Sequence, residues 1–255
     1  MYLDFIRYWL KAGDAHTIHS PFVFEFYTQV FKSSIQNDYF EKIENQRGKL
    51  LQRTESIDIK DFGAGSRVEK NTKRKISSIA RTSLKTKKWA LILNRIARFY
   101  KYQNIIELGT SFGITTSYLA TSTPQCNVFT FEGSPEIGKI AQNTFQNLEL
   151  SNIELITGNI DETLPHFLSN YGCIDFIFFD ANHTYEATIR YFETALKSIH
   201  NDTCFVFDDI YWSEGMKSAW EEIINHDSVT VSIDLFFVGI VFFRRESPKQ
   251  HFIIK

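Results

Sequence analysis

The sequence predicts an α/β protein, in which a helical extension precedes a mostly parallel sheet that ends in an antiparallel hairpin. After residue 103, short apolar segments alternate with helical segments of roughly ten to fifteen residues, as in consecutive βαβ units. Residues 229–245, "VTVSIDLFFVGIVFFRR", hold two apolar strand patterns with no space for a helix between them. Such a pair is most simply an antiparallel hairpin at the end of the sheet.

The composition is that of an ordinary globular protein. Of the 255 residues, 43% are hydrophobic and 23% are charged, and the net charge of −2 offers no general attraction to nucleic acid or an anionic membrane. The three cysteines include no CxxC pair, which argues against a disulfide framework or a structural zinc site. The first residues, "MYLDFIRYWLKAG", lack the apolar stretch of a signal peptide. We therefore expect a cytoplasmic protein that contacts no membrane.

The first hundred residues are expected to be a helical extension. Apolar residues recur at helical spacing over 2–12, over 22–30 and twice over 73–100. Gly13 is a plausible end for the first helix, and Ser20 followed by Pro21 is a typical helix start. We divide the chain at this extension, into residues 1–100 and residues 101–255.

The predicted strands after residue 103 are 104–108, 128–132, 153–156, 174–179 and 204–207. In a parallel sheet with helices on its faces, ligands bind at the edge where the carboxyl ends of the strands lie. Residues directly after these strands are therefore the candidates for function.

Two glycine-bearing stretches compete for the role of a ligand-binding loop: residues 59–70, "IKDFGAGSRVEK", and residues 104–120, "NIIELGTSFGITTSYLA". A nucleotide-type site needs a strand, a glycine turn that lets the backbone approach the ligand, and a helix that begins directly afterwards. The second stretch meets all three requirements, with Gly109 and Gly113 on either side of the turn. The first has a thin strand before it and a polar segment after it. We therefore predict that residues 104–120 hold the ligand.

An acidic residue after the next strand supports this choice. The segment "VFTFEGSPE" ends its strand at Glu132, 25 residues after Glu107, where a carboxylate would accept hydrogen bonds from both hydroxyls of a ribose. The loop runs E-x-G-x-x-x-G, which differs from the GxGxxG pattern of dinucleotide-binding proteins and from the GxxxxGK[ST] phosphate loop. The ordered set of features, more than either glycine spacing alone, indicates a nucleoside cofactor.

Residues 100–245 resemble the class I S-adenosylmethionine-dependent methyltransferases. The resemblance is carried by "ELGTSFG", "FEGSPE", "TGNIDETLP", "IDFIFFDANHTY" and "FVFDDIYWS", together with the terminal hairpin. Within this class the chain is most similar to the catechol and caffeoyl-CoA O-methyltransferase branch and its bacterial relatives. The resemblance implies a Rossmann-like class I methyltransferase sheet over residues 101–255 that binds S-adenosyl-L-methionine, with residues 1–100 as a helical extension and lid.

The resemblance also implies which residues would bind the cofactor. They are Glu107, Gly109, Thr110, Ser111 and Gly113 along the methionine part, Thr115 or Thr116 at its carboxylate, Glu132, Gly133 and Ser134 at the ribose, Gly158, Asn159 and Ile160 along the adenine, and Asp180 at the border of the site. The alternatives are that Thr115 caps a helix and that Asn159 is a turn residue.

Three acidic residues follow two strands that are expected to be neighbours. Asp180 ends the fourth predicted strand, and Asp208 and Asp209 end the fifth, 28 and 29 residues later. Carboxylates that meet at a sheet edge hold a metal or act as bases. The corresponding positions of the catechol-type family, Asp, Asp and Asn, bind a divalent cation. The resemblance therefore implies a metal site made by these three residues, whose oxygen ligands suit Mg²⁺ or Ca²⁺. The alternative is that Asp208 caps a helix and Asp180 only borders the cofactor.

His183 stands where the catechol-type family has a lysine that accepts the proton of the acceptor. Because imidazole titrates near neutral pH, the resemblance implies that His183 acts with Asp180 as a catalytic residue. A hydrogen-bonding role in a loop is the alternative. Tyr185 and Trp212 would form an aromatic wall beside the acceptor, or serve only in packing.

The first glycine loop, Asp61–Ser66, and the basic segment after it leave other functions open. Residues 67–88 hold nine Lys or Arg against one acid. The simplest interpretation is a turn followed by a solvated basic helix, and the others are a lid hinged at Gly63 and Gly65 or an RNA-binding face.

Three functions stay open: an O-methyltransferase of a small hydroxylated acceptor, an RNA or protein methyltransferase that uses residues 67–88, and a cofactor-binding protein without catalysis. We expect a small-molecule acceptor rather than nucleic acid. The aromatic first forty residues would cover the core or a partner subunit, and the second alternative would make the protein a homodimer.

Overall fold

A computed structural model describes residues 2–59 and 73–255 of the chain. The helices are α1 (Tyr2–Lys11), α2 (Pro21–Glu25), α3 (Asp38–Gln52), α4 (Ile76–Ser83), α5 (Lys87–Phe99), α6 (Ile114–Ala120), α7 (Pro135–Asn147), α8 (Ile160–Tyr171), α9 (Tyr185–Ala195) and α10 (Glu214–Asn225). The strands are β1 (Ser56–Asp58), β2 (Lys73–Lys75), β3 (Asn104–Leu108), β4 (Asn127–Glu132), β5 (Ile153–Thr157), β6 (Phe176–Phe179), β7 (Cys204–Asp208), β8 (Val231–Asp234), β9 (Val238–Phe242) and β10 (Gln250–Ile253). The first glycine loop and the start of the basic segment, up to residue 72, lie outside the described residues.

The chain forms two compact units. The central unit comprises Ser33–Thr163, and the terminal unit comprises Met1–Lys32 together with Leu164–Lys255. Both units contain residues from either side of residue 100. The predicted division of the chain at that residue does not coincide with the units, and it stays a prediction.

The central unit contains three parallel strands in the order β3-β4-β5. Their apolar runs are nearly fully buried in β3 and β4, as expected of strands that are covered on both faces. Side chains from α3, α4, α6 and the loop after β3 form a shared core, in which Ile43, Tyr118 and the loop residue Phe112 are fully buried. This arrangement fixes the loop between β3 and α6 against a rigid support.

The terminal unit confirms the predicted antiparallel hairpin. β8 and β9 pair antiparallel, β9 also pairs antiparallel with β7, and β7 runs parallel to β6. β10 was not predicted, and it pairs parallel with β8. The fold is thus the predicted one, a mostly parallel Rossmann-like sheet with flanking helices and an antiparallel C-terminal hairpin.

The N-terminal part differs locally from the helical prediction. Lys73–Lys75 is not helical but pairs antiparallel with β1, so the helical prediction for 73–100 was wrong at its start. Residues Phe26–Phe31 are helical as expected, but they form a π-helix that continues α2. Helix α3 has an Asn37 cap whose side chain accepts a hydrogen bond from Tyr39 N–H, and it was not predicted.

One face of helix α1 packs against the rest of the terminal unit, and the opposite face is exposed. Tyr8 and Ala12 pack with Phe236, whereas Leu3 and Leu10 are 69% and 74% exposed. The chain end holds the same helix, because Gly13 pairs with Ile254 in a parallel bridge. Within residues 2–59 and 73–255, we find no helix with the length and apolar character needed to cross a bilayer. The predicted homodimer and cytoplasmic location stay predictions.

Candidate active site

The loop after β3 closes against the end of β4. Ser111, whose φ is +48°, donates its main-chain N–H to Oε2 of Glu132 at 3.0 Å. The N–H of Ser134 donates to the other carboxylate oxygen, Oε1, at 2.9 Å. The first two loop residues both donate their N–H groups to the carbonyl oxygen of Phe131. The loop and the acid at the end of β4, which the sequence predicts to cooperate, are therefore one hydrogen-bonded structure within the central unit.

Glu107 lies fully buried beneath this loop. Its Oε2 accepts hydrogen bonds from the hydroxyls of Thr116 and Thr130, the second at 2.7 Å. Burial raises the pKa of Glu107 to about 7, although the two hydroxyl groups lower it, and the charge of Glu132 raises it slightly more. The Thr116 hydroxyl is thus committed to Glu107, which disfavours the alternative in which Thr116 binds the cofactor carboxylate. Thr115 lies buried at the second position of α6, and its predicted role stays a prediction.

Gly113 is required by its conformation and by its neighbour. It has a φ of +77°, and a Cβ at this position would lie 2.4 Å from Cε1 of Phe145. Any side chain here would collide with a ring whose own residue is buried in α7. The second glycine of the loop is therefore explained by packing within the central unit as well as by close approach of a ligand.

The predicted adenine wall lies at the start of α8. Asn159 accepts a hydrogen bond from the N–H of Asp161 through its side chain, and its carbonyl oxygen accepts from the N–H groups of Glu162 and Thr163. Asn159 thus acts as the turn residue that begins α8, which was the alternative interpretation of this position. Gly158 donates its N–H to the carbonyl oxygen of Glu132, so this turn lies directly beside the acid at the end of β4.

Three buried polar atoms around the loop have no hydrogen-bond partner within the described part of the chain. They are Oε1 of Glu107, Oγ of Ser111 and Oγ of Ser134. Buried polar atoms in proteins are nearly always hydrogen-bonded, and one left alone costs about 1–3 kcal/mol. The three atoms belong to residues that the sequence assigns to the cofactor. Such a group of two hydroxyls and one carboxylate oxygen fits a ligand with hydroxyl and ammonium groups.

Sequence reasoning missed one residue of the hydrogen-bond network around Glu107, namely Thr130. It stands inside the apolar strand "VFTFE" and pairs with Glu107 in the register of β3 and β4. Its hydroxyl lies 2.7 Å from that of Thr110, so Thr110 supports the Glu107 network through Thr130. The signal was a single hydroxyl residue at the interior position that faces Glu107, and only the strand register gives it meaning.

A second cluster of chemically active side chains lies in the terminal unit. Ligand atoms of Asp180, His183 and Asp208 all lie within 4.8 Å of one another. The strand register explains why Asp180 and Asp208 lie close together. Phe179 of β6 pairs with Phe207 of β7, and each aspartate is the next residue in its chain segment. Asn182, with a φ of +51°, turns the chain after Asp180 and places Nε2 of His183 3.6 Å from Oδ1 of Asp180.

Asp209 is not part of this cluster. Its φ is +53°, so it has left the extended conformation of β7, and its N–H donates to the carbonyl oxygen of Phe237 at 2.8 Å. Its carbonyl oxygen accepts a hydrogen bond from the N–H of Trp212. The structure thus brings together Asp180, Asp208 and His183, and the predicted role of Asp209 as a metal ligand stays a prediction.

The two predicted aromatic wall residues differ in their surroundings. The hydroxyl of Tyr185 donates to Glu222, and this hydrogen bond raises the pKa of the phenol. Tyr185 also lines a groove between α9 and α10, whose other lining residues include Glu186, Glu221 and Glu222. Trp212 is 42% exposed on the segment that follows Asp209. Their roles at an acceptor stay predictions.

The chain is similar to known methyltransferases over part of its length. Residues 106–210 match a family model described as a methyltransferase domain. A catechol O-methyltransferase of Niastella koreensis is 30% identical over 121 residues, which cover 46% of this chain and 54% of that protein. The chain therefore spans about half the length of the curated relative that it matches.

Solved structures share the fold at low sequence identity. The S-adenosylhomocysteine-bound O-methyltransferase of Bacillus cereus is 19% identical with a TM-score of 0.59, over 86% of this chain and 96% of that one. The S-adenosylhomocysteine-bound methyltransferase PaMTH1 of Podospora anserina is 14% identical with a TM-score of 0.62, over 89% and 97%. The chain therefore shares the fold of these methyltransferase structures, and residues 106–210 are similar to a methyltransferase domain.

Proposed function

We propose that the protein transfers a methyl group from S-adenosyl-L-methionine to an oxygen atom of a small hydroxylated acceptor. The observation that carries this proposal is the arrangement of Glu132, the 109–113 loop and the three unpartnered atoms of Glu107, Ser111 and Ser134. The cofactor supplies an electrophilic methyl group on a sulfonium. The residues of the chain would bind and orient it and prepare the acceptor oxygen.

The two acidic residues of the site have different tasks in this proposal. Glu132 would accept hydrogen bonds from the ribose hydroxyls, while its two main-chain donors orient its carboxylate. Oε1 of Glu107 would receive an ammonium group, because a buried carboxylate oxygen favours a cationic donor. Other residues would shape the same site, namely Gly109, Thr110, Gly113, Thr115 and Gly133. Asn159 and Ile160 would lie beside the adenine.

The second cluster would serve the acceptor. Asp180 and Asp208 would hold a divalent cation, for which Mg²⁺ is the expectation from oxygen ligands, and the cation would lower the pKa of an acceptor hydroxyl. Two roles are open to His183: it would accept the proton of the acceptor, or it would bind the cation itself.

One observation supports a different acceptor class, namely RNA or a protein. In the described part of the basic segment, Lys73, Lys75, Arg81, Lys87 and Lys88 are exposed. An RNA acceptor would bind through such charges, and its affinity would fall steeply with salt. Charge alone makes no recognition module, so we favour the small acceptor.

Calorimetry with S-adenosylhomocysteine tests the proposal. The wild-type protein is expected to bind it in the presence of a metal chelator, and Glu132→Ala and Glu107→Ala are expected to lose most of the affinity. Binding that needs neither residue would contradict the site. A panel of phenolic and other hydroxylated compounds, assayed with labelled cofactor at two salt concentrations, then separates the acceptor classes. Turnover of none of them, with cofactor bound, would favour the non-catalytic alternative.

A further inference from the structure

The side chains that meet at the ends of β6 and β7 form a mixed set of donors. His183 contributes an imidazole nitrogen, and Asp180 and Asp208 contribute carboxylate oxygens. Asp208 is 2% exposed, and the side chains of Asp180 and His183 are 14% and 26% exposed. The cluster therefore has a buried floor and a more open side formed by the other two residues.

The spacing of these donors suits a small ion. Ligands at about 2.1 Å from a metal lie about 3.0 Å apart at an octahedral edge and about 3.4 Å apart at a tetrahedral edge. The separation of Nε2 of His183 from Oδ1 of Asp180 is 3.6 Å, and no pair in the set exceeds 4.8 Å. The pair of Asp180 and His183 is thus close to an edge distance, and a pair 4.8 Å apart would reach one after movements of up to about 0.9 Å in each side chain. Asn182, in its left-handed conformation, sets the turn that makes this possible.

The nitrogen donor changes which ion the set prefers. Mg²⁺ and Ca²⁺ favour oxygen ligands, whereas imidazole suits Zn²⁺ and other first-row divalent ions. An oxygen-only set of Asp180, Asp208 and Asp209 was the expectation that favoured Mg²⁺. The structure instead groups His183 with Asp180 and Asp208.

We propose that Asp180, His183 and Asp208 bind a first-row divalent transition ion, from Mn²⁺ to Zn²⁺, in preference to Mg²⁺ or Ca²⁺. This inference rests on the proposed function in one respect, namely that the ion serves the acceptor. Three protein ligands leave open positions on the ion, which are the positions that an acceptor oxygen would occupy. His183 would then be a metal ligand and not the base, and an ion held there would lower the pKa of the acceptor hydroxyl so that solvent could take its proton.

Metal titration of the full chain, freed of metal with a chelator and then exchanged into buffer, tests this inference. Zn²⁺, Mn²⁺ and Mg²⁺ are added separately, and binding is followed by calorimetry and by the shift in thermal midpoint. We expect Zn²⁺ and Mn²⁺ to bind at least about tenfold more tightly than Mg²⁺. In His183→Asn, which replaces the nitrogen donor by an oxygen, the Zn²⁺ affinity should fall about tenfold or more while the Mg²⁺ affinity changes less than about threefold. Asp180→Asn should weaken every ion.

His200→Asn is the matched control. Nε2 of His200 lies 2.8 Å from Oδ1 of Asp175, so this is also a histidine beside an aspartate in the terminal unit, yet it forms no three-donor cluster within the described residues. Its removal should leave Zn²⁺ binding unchanged. The visible spectrum of bound Co²⁺ adds a direct reading of the ligand set, and it should change in His183→Asn and His183→Gln but not in His200→Asn.

Three results would overturn the inference: equal affinity for Mg²⁺ and Zn²⁺, no binding of any ion, or equal losses in the His183 and His200 variants. The outcome is separable from that of the proposed function, because S-adenosylhomocysteine binding is measured in chelator. Cofactor binding without metal binding removes only this inference. Metal binding with the expected preference but without cofactor binding removes the proposed function and leaves the metal site.

Discussion

The main-chain N–H of Ser111 donates a 3.0 Å hydrogen bond to Oε2 of Glu132, across 21 residues of sequence. This contact joins the loop after β3 to the acid that ends β4. Ser134 engages the other oxygen of the same carboxylate. The orientation of Glu132 is thus set before any ligand arrives, which is the condition for tight binding of ribose hydroxyls without a large ordering cost.

Replacing Glu132 by Gln should weaken cofactor binding more than it weakens the fold. The amide NH₂ would face one of the two main-chain donors, Ser111 or Ser134, and the negative charge would be lost. We expect the Kd for S-adenosylhomocysteine to rise by about tenfold or more in Glu132→Gln, measured by calorimetry. Glu136→Gln is the control, because Glu136 forms a partly exposed ion pair with Lys139 in the next helix. Equal affinities in the two variants would remove the ribose role.

Glu107 should make stability depend on pH. Its pKa is about 7 in the folded protein against an ordinary value of 4.5, so the folded state keeps a proton that the unfolded chain releases. Stability from this group is therefore highest at low pH, falls as the pH rises between these values, and is constant above them. Relative to Glu107→Gln, the wild type should lose on the order of 2 kcal/mol between about pH 5 and pH 8.

Urea unfolding at several pH values measures this difference. Glu154→Gln provides the comparison, since Glu154 is exposed on β5 of the same unit. If the wild type and Glu107→Gln showed parallel pH profiles, Glu107 would not be the group that holds the proton.

The same proton should be coupled to ligand binding. If Oε1 of Glu107 receives the ammonium of the cofactor, the carboxyl must release its proton first, because only the ionised form attracts a cation. The affinity for S-adenosylhomocysteine should then increase from about pH 6 to pH 8, by up to roughly tenfold per unit below the pKa. Calorimetry in buffers of different ionisation enthalpy would report the released proton. A pH profile that is the same in Glu107→Gln would contradict the assignment.

Gly113→Ala should destabilise the protein strongly. The new Cβ would lie 2.4 Å from Cε1 of Phe145, at a φ of +77° that disfavours alanine. We expect a loss of about 2 kcal/mol or more in chemical unfolding. Addition of Phe145→Ala should reduce the extra cost of the Gly113 change, because it removes the ring that is struck. Gly48→Ala is the opposite case: it lies in α3, where a Cβ meets no atom within 4 Å, and it should be neutral or stabilising.

Tyr211→Phe should destabilise the protein, because it removes the hydrogen bond that ties the segment after Asp208 to Asp234. The hydroxyl of Tyr211 donates to Oδ2 of Asp234 at 2.7 Å, and Asp234 is 1% exposed. Burial raises the pKa of Asp234, and the hydrogen bond from Tyr211 lowers it, so loss of the hydroxyl leaves a buried acid with one partner fewer. We expect a destabilisation of about 1–3 kcal/mol. Tyr185→Phe, which removes an exposed hydrogen bond to Glu222, should change stability much less.

The elements that could be predicted are those whose signal lies in neighbouring residues. β3 was predicted at its observed bounds, and β4, β5 and β7 within one residue, because each is an apolar run bounded by turn residues. β10 was missed, since "QHFI" carries no clear pattern and becomes a strand by pairing with β8. Lys73–Lys75 was misassigned for the same reason, because its extended conformation depends on pairing with β1.

The sequence by itself determined the strand and helix alternation, the position of the loop between β3 and α6, and the acid at the end of β4, because each is a local property of a short segment. Only the tertiary structure decided which distant residues meet: Thr130 under Glu107, Phe145 against Gly113, and His183 beside Asp180 and Asp208. These contacts depend on strand register and on turn conformation, and a difference of one residue or one φ angle redirects a side chain.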